Sequence, residues 1–221
     1  MTKRLENDAM VVLGGSFNPP TTAHEQLMVH AMEQSGATSG LFVPSSDAYV
    51  RRKCDRLKEP MCFSERARYM MLQEIASRHP EMAVWNGEFG DDGRGHTYDT
   101  MCRIQEIYKD RQLAFLVGSD KLRILPRWHN AESFMDRFWF VVTARNGDDV
   151  ERLMGSNPML ARHADKFIVI PELPDRLVEL SSTRARVLLK MPPSEKNDAE
   201  LEDAIPKYCI PIARRAMKGE L

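Results

Sequence analysis

The sequence lacks any surplus of charge. Its 31 Lys and Arg stand against 32 Asp and Glu, a net of −1 over 221 residues, so no field of the whole molecule gathers nucleic acid or anionic membrane. Any anion it binds must be held locally. Long apolar runs are missing too: the longest, Phe138 to Ala144, has strand length and falls far short of the ~20 residues a bilayer span needs. Cysteine is sparse, with Cys54, Cys62, Cys102 and Cys209 forming no C-x-x-C pair, and Met1-Thr2-Lys3-Arg4 runs into charged residues instead of an apolar signal segment. These features lead us to expect a protein of the reducing cytoplasm, bound to neither membrane nor nucleic acid. No His, Cys or Asp cluster has metal-ligand spacing, since His24 and His30 are six apart, and no protein-bound metal is expected. His30, His79 and His163 are expected to be structural or surface residues.

Six short apolar runs are present, at Ala9–Leu13, Gly40–Val43, Met82–Trp85, Leu113–Val117, Phe138–Thr143 and Lys166–Ile170. Helical patterns lie between them, roughly at His24–Gln34, Ser64–Arg78, Tyr98–Lys109, Ser119–Leu125, Asp148–Met154 and Thr183–Lys190. Near-continuous apolar strands alternating with helices are what a parallel sheet covered on both faces requires. The expected fold is α/β, a Rossmann-like doubly wound parallel sheet, in a single domain over residues 1–221. Met191–Asp198 reads as an exposed loop. Leu201–Met217 reads as a terminal helical segment that Pro206 and Pro211 break into pieces.

The strongest local signal runs from Met10 to Glu25. A strand ends in Gly14-Gly15, followed by Ser16-Phe17-Asn18-Pro19-Pro20, and Thr22 has Glu25 three positions on. That spacing is a capping-box pattern, which starts a helix at Thr22 and puts His24 in its first turn. Beyond the end of a strand in a doubly wound sheet, such a loop meets free N–H groups and the positive end of a helix, a cradle for phosphate to which a histidine adds a directional donor.

Three further segments have the same character. Asp47-Ala48-Tyr49 leads to the cations Arg51, Arg52 and Lys53 beyond the second strand, where a triphosphate could be held. Gly118-Ser119-Asp120 ends the fourth strand with a glycine and a carboxylate suited to ribose hydroxyls, and Trp128 follows in a loop where it could stack on a flat heterocycle. Ser181-Ser182-Thr183-Arg184-Ala185-Arg186 is a capped helix start. Its two outer arginines, two positions apart, point to nearly opposite sides.

Gly15-Ser16-Phe17-Asn18-Pro19-Pro20-Thr21-Thr22-Ala23-His24 resembles the nucleotidyltransferase superfamily signature Gly-x-Phe-x-Pro-(His/Thr)-x-x-His with one residue inserted after the proline. Thr21 stands where many members have histidine, and that form resembles the nicotinamide/nicotinate mononucleotide adenylyltransferase family. The Asp-Ala-Tyr stretch with its basic residues, Gly118-x-Asp120, Trp128-His129 and the Ser-Ser-Thr-x-(Ile/Val)-Arg motif, which selects Arg186, resemble the same family. Two matches are fainter. Gly95-His96-Thr97-Tyr98-Asp99-Thr100 is similar to the nicotinate branch, and Trp85-Asn86-Gly87-Glu88 to the nicotinamide branch.

The resemblance implies that adenylate from ATP is joined to nicotinate or nicotinamide mononucleotide, giving the dinucleotide and pyrophosphate in NAD biosynthesis. It implies His24, Lys53 and Arg186 as catalytic groups. Gly15, Ser16, Phe17, Thr21, His24, Gly118, Asp120, Ser182, Thr183 and Arg186 are implied for ATP. Asn18, Trp85, Thr97, Trp128 and Arg145 are implied for the mononucleotide. Mg²⁺ is expected to arrive with ATP. The expected partners are ATP and a pyridine mononucleotide, with a homo-oligomer as a further option. Two alternatives are another superfamily nucleotidyltransferase, of the phosphopantetheine or glycerol-phosphate type, and a non-catalytic nucleotide-binding module.

Overall fold

A computed structural model describes residues 3–60, 63–92, 94–145, 147–174, 177 and 180–221; Cys62 lies outside them. The strands are β1 (Met10–Gly15), β2 (Ser39–Pro44), β3 (Met82–Val84), β4 (Leu113–Gly118), β5 (Trp139–Thr143) and β6 (Phe167–Ile170). They form a six-stranded sheet in the order β3-β2-β1-β4-β5-β6. The pairs β1/β4, β4/β5 and β5/β6 are parallel, with Val11 opposite Ala114, Phe115 opposite Phe140 and Val141 opposite Ile168. All six apolar runs of the sequence are strands, because a strand covered on both faces gains from apolar residues at successive positions. This is the doubly wound order, whose reversal at β1 puts the loop after that strand where such sheets bind ligands.

The helices are α1 (Thr22–Ser35), α2 (Asp47–Leu57), α3 (Glu65–Ala76), α4 (Thr97–Ile107), α5 (Ala131–Arg137), α6 (Val150–Gly155), α7 (Pro158–Arg162), α8 (Ser182–Lys190), α9 (Glu195–Ala204) and α10 (Ile210–Met217). Among the described residues no helix is long and apolar enough to cross a membrane.

Two sequence expectations fail locally. The helix expected over Ser119–Leu125 is instead a pair of 3₁₀ turns, Ser119–Lys121 and Leu125–Arg127, because Pro126 has no N–H to continue an α-helix and biases its predecessor away from it. The loop expected over Met191–Asp198 gives way at Glu195 to α9, whose start is capped by Ser194 accepting from the Asn197 N–H at 3.2 Å. The expected breaks near Pro206 and Pro211 are present. Pro206 lies between α9 and α10, and Pro211 sits in the first turn of α10, where a missing N–H costs nothing.

The chain forms two compact units. The first comprises Met1–Leu13, Met28–Leu41 and His96–Leu173. Its core is aromatic: Phe134 lies edge-on to Phe140 at 4.8 Å, and Phe140 stacks on Phe167 at 4.8 Å. The second comprises Gly14–Leu27, Phe42–Gly95 and Pro174–Leu221. Here α3 buries Ala67, Met71, Leu72 and Ile75, and α10 closes over it, with the Cys209 thiol donating to the Met71 carbonyl at 3.3 Å. Burial pushes that thiol up to about 12, so it stays protonated and unreactive.

Candidate active site

In the second unit the loop after β1 is built around Phe17. This residue adopts φ 45°, in the left-handed region, and is 2% exposed. Its ring lies edge-on to His24 at 5.0 Å and to Phe42 at 5.8 Å. A Cβ added at Gly15 would stand 3.1 Å from Phe17 Cζ, so the glycine gives the ring room for its close approach. The Ser45 N–H donates to the Gly15 carbonyl at 2.9 Å, tying the end of β2 to the same loop. The Asn18–Pro19 peptide is cis.

His24 is oriented by Thr21. Both the Thr21 N–H, at 3.1 Å, and its hydroxyl, at 2.7 Å, reach Nδ1 of the histidine. A backbone N–H can only donate, so Nδ1 accepts and the neutral ring carries its proton on Nε2. The local sequence therefore fixes the tautomer that offers an Nε2–H. The helix starts at Thr22 as expected, but the capping box does not form. The Glu25 N–H bonds to the Thr21 carbonyl, and the hydroxyl of Thr22 has no partner. The Glu25 carboxylate turns away to accept from Tyr208 at 2.5 Å and to meet His79 at 2.7 Å. Thr21 itself is fully buried, so it serves the cradle through His24.

Of the three adjacent cations beyond β2, the structure brings Lys53 to the cradle, its Nζ donating to the Ser16 hydroxyl at 3.1 Å. Arg52 instead donates to the Asp92 carbonyl at 2.6 Å, and Arg51 is exposed. The reason is that this stretch is helical. Ser46 caps α2 by accepting from Tyr49 N–H, Val50 and Cys54 face the interior, and Lys53 sits beside them.

Arg186 reaches the same loop from α8. The residue is 4% exposed, and its guanidinium donates to the Asn18 carbonyl at 2.7 Å, to the Glu59 carboxylate at 2.7 Å and to the Thr183 hydroxyl at 3.2 Å. Arg184 points away and pairs with Glu200, as the spacing of the two arginines predicts. Ser181 caps α8, while Ser182 donates to the Pro19 carbonyl at 2.7 Å and so pins the helix start to the cradle loop. Asn18, expected on the mononucleotide side, also ties the loop to its surroundings. Its side chain is buried and donates to the Pro60 carbonyl at 3.2 Å.

The sequence reading missed Arg68. It is 0% exposed, and it donates to the carbonyls of Ser16 at 3.0 Å and Ser45 at 2.6 Å and to Asp47 at 3.0 Å. Burial lowers its pKa from the ordinary arginine value, and the Asp47 carboxylate opposes that shift. The one signal in the sequence is its spacing, since Arg68 falls on the stripe of Met71, Leu72 and Ile75. Glu59 was missed as well; nothing in the sequence separates it from a surface acid. Trp85, also in this unit, is half-buried beside β3.

The first unit carries two further groups of expected site residues. At the end of β4, Gly118, Asp120 and Arg145 converge: a Cβ on Gly118 would lie 2.5 Å from Asp120 Oδ1 and 2.8 Å from Arg145 Nε. Arg145, expected beside the mononucleotide residues, is thus grouped with the residues expected for ATP. Ser119 does not cap a helix here; its hydroxyl donates to Asp148 at 2.7 Å and accepts from the Arg145 N–H at 3.0 Å. The second group joins the start of α4 to the loop of Trp128. His96, the residue before Thr97, stacks on His129 at 4.2 Å. Trp128 is half-buried, edge-on to Phe115 at 6.1 Å and nearly parallel to Phe134 at 6.5 Å.

The cytidylyltransferase-like family model matches residues 12–188. A probable nicotinate-nucleotide adenylyltransferase of Aeromonas hydrophila is 30% identical over 187 residues, covering 80% of this chain and 84% of that protein. One from Carboxydothermus hydrogenoformans is 27% identical over 194 residues, covering 88% and 93%. Among solved structures, the Plasmodium falciparum nicotinic acid mononucleotide adenylyltransferase complexed with NaAD shares the fold, with a TM-score of 0.68 at 17% identity, covering 93% of this chain and 94% of that one.

Proposed function

The chain belongs to the cytidylyltransferase-like family, and on that footing we propose that it is the nucleotidyltransferase that joins the adenylyl group of ATP to nicotinate mononucleotide, releasing pyrophosphate. The observation that carries this reading is the gathering of His24, Lys53 and Arg186, from three different helices, on one loop of residues 15–21. Nicotinate is favoured over nicotinamide by the names of the relatives, such as those of Aeromonas hydrophila and Carboxydothermus hydrogenoformans.

The acceptor brings its own ionised phosphate, so the reaction needs neither a protein nucleophile nor a strong base. An acceptor oxygen attacks the α-phosphorus in line, the bond to the bridging oxygen breaks, and pyrophosphate leaves with the electron pair. Charge develops on the non-bridging α-oxygens and on the leaving group, and preorganised donors there act in the transition state. His24 supplies Nε2–H to the α-phosphate. Lys53 and Arg186 supply charge to the β- and γ-phosphates. Ser16, Ser182 and Thr183 add short donors at the rim of the same loop. Mg²⁺ would arrive with ATP and offset part of the phosphate charge, while His24, Lys53 and Arg186 offer N–H donors and positive charge to the phosphate oxygens.

The resemblance implies Trp128, Thr97 and Trp85 for the pyridine mononucleotide, and Gly118 and Asp120 for ATP. Arg145, implied by the resemblance for the mononucleotide, lies against Gly118 and Asp120.

The test is an ATP-dependent dinucleotide-forming assay with nicotinate and nicotinamide mononucleotide in parallel. Equimolar dinucleotide and pyrophosphate, with the higher kcat/KM for the nicotinate form, is the expected result. Absence of dinucleotide from both acceptors would overturn the reading.

A further inference from the structure

Glu59 holds the guanidinium that the proposed reaction needs. Its Oε2 accepts from Arg186 at 2.7 Å and its Oε1 accepts from the Thr183 hydroxyl at 3.0 Å. One carboxylate thus takes donors from two residues of the α8 start. The segment that carries it is fixed to the cradle at a second point, because the Pro60 carbonyl accepts from Asn18 while the Asn18 carbonyl accepts from Arg186. Asn18, Pro60, Glu59 and Arg186 therefore close a ring. Lys58, in the left-handed conformation at φ 56°, turns the chain out of α2 and delivers Glu59 to this position.

We infer that Glu59 is an internal competitor for the phosphate tail of ATP, a carboxylate that must release Arg186 and Thr183 before the triphosphate can take the same donors. The inference rests on the assignment of Arg186 to the β- and γ-phosphates. Two asymmetries support it. The Glu59 side chain is 32% exposed while that of Arg186 is 5% exposed, so the carboxylate can swing into water at little cost whereas the guanidinium must find an anion where it stands. Arg186 also keeps one partner that does not depend on Glu59, the Asn18 carbonyl, so its direction survives the exchange. A triphosphate carries more charge than a carboxylate and forms more charge-assisted hydrogen bonds, so it wins the exchange.

Such competition raises the apparent Kd by the factor by which the closed pair is populated over the open one. For a single ion pair with one partly exposed partner that factor is roughly 3- to 10-fold. Removing the competitor should therefore tighten binding, the opposite of what loss of a supporting salt bridge does.

The experiment is calorimetric titration of the wild-type protein, Glu59→Gln and Glu59→Ala with Mg-ATP, with AMP and with inorganic tripolyphosphate, with melting temperatures measured alongside. The expected result is a gain of roughly 3- to 10-fold in affinity for ATP and tripolyphosphate in both variants, with the affinity for AMP unchanged. ATP and tripolyphosphate affinities that are unchanged or weaker in both variants would overturn the inference, as would an equal gain for AMP. If one variant melts at a lower temperature, the other decides. No acceptor is present, so failure of the dinucleotide assay leaves this result standing. A gain with tripolyphosphate and none with ATP would keep the competitor and refute the nucleotide assignment instead.

Discussion

Lys53 Nζ lies 3.1 Å from the Ser16 hydroxyl, whereas its neighbour Arg52 reaches the Asp92 carbonyl at 2.6 Å. Two cations adjacent in sequence thus serve different parts of the second unit, as residues 100° apart on a helix must. Lys53→Ala is expected to lower kcat/KM for ATP by about ten- to a hundredfold, the scale of one lost charge-assisted contact in a transition state. Arg51→Ala is expected to change it less than about threefold, the scale of an exposed charge. Equal losses from the two substitutions, measured by steady-state kinetics, would dissolve the distinction.

Arg68 holds the Ser16 and Ser45 carbonyls and the Asp47 carboxylate from a fully buried position. Arg68→Ala leaves those acceptors without donors and opens a cavity, so about 3–5 kcal/mol of stability should be lost. Arg68→Lys keeps the charge but cannot reach all three acceptors at once, and should recover part of the stability while kcat for ATP-dependent turnover stays depressed. Urea unfolding beside kinetics checks this. Full recovery of both by lysine would show that only charge matters here.

Gly15→Ala places a Cβ 3.1 Å from Phe17 Cζ, and the ring, held at one side by His24 and at the other by Phe42, has little room to retreat. The expected cost is about 1–3 kcal/mol of overpacking, with a fall in kcat because the ring that moves is the one against His24. A variant with unchanged melting temperature and unchanged kcat would mean that the loop adapts freely.

The sheet was legible in the sequence because parallel strands covered on both faces are written as apolar runs, and each run is a strand. The loop after β1 was legible for a related reason: glycines, prolines and a first-turn histidine are local signals, and His24, Lys53 and Arg186 all reach that loop. What could not be read depends on partners distant in the chain. Arg68 is recognisable as a buried support only when carbonyls 52 and 23 residues away are in place. Glu59 meets Arg186 across 127 residues. The capping box failed at Glu25 for the same reason, since Tyr208 and His79 draw its carboxylate away. Helix α2 was not read because its interior face is only Val50 and Cys54, too narrow a stripe to give a periodic signal.

Trp128 has one neighbour nearly parallel to it, Phe134, and another edge-on, Phe115. It therefore packs against the core of the first unit. Trp128→Ala is expected to cost about 1–3 kcal/mol in stability and to raise the KM for the mononucleotide with little change for ATP. Trp128→Phe should recover part of each. A melting-temperature loss with both KM values moving together would assign Trp128 to packing alone.

The central claim is that Thr21 fixes His24 in the tautomer that offers Nε2–H to the α-phosphate. The most direct measurement is the steady-state rate of dinucleotide formation from ATP and nicotinate mononucleotide by wild-type protein and His24→Ala, at saturating concentrations of both substrates. A fall of roughly two to three orders of magnitude in kcat, with the melting temperature and the Kd for mononucleotide preserved, is the result this account predicts. Turnover by His24→Ala within a few-fold of wild type would contradict it.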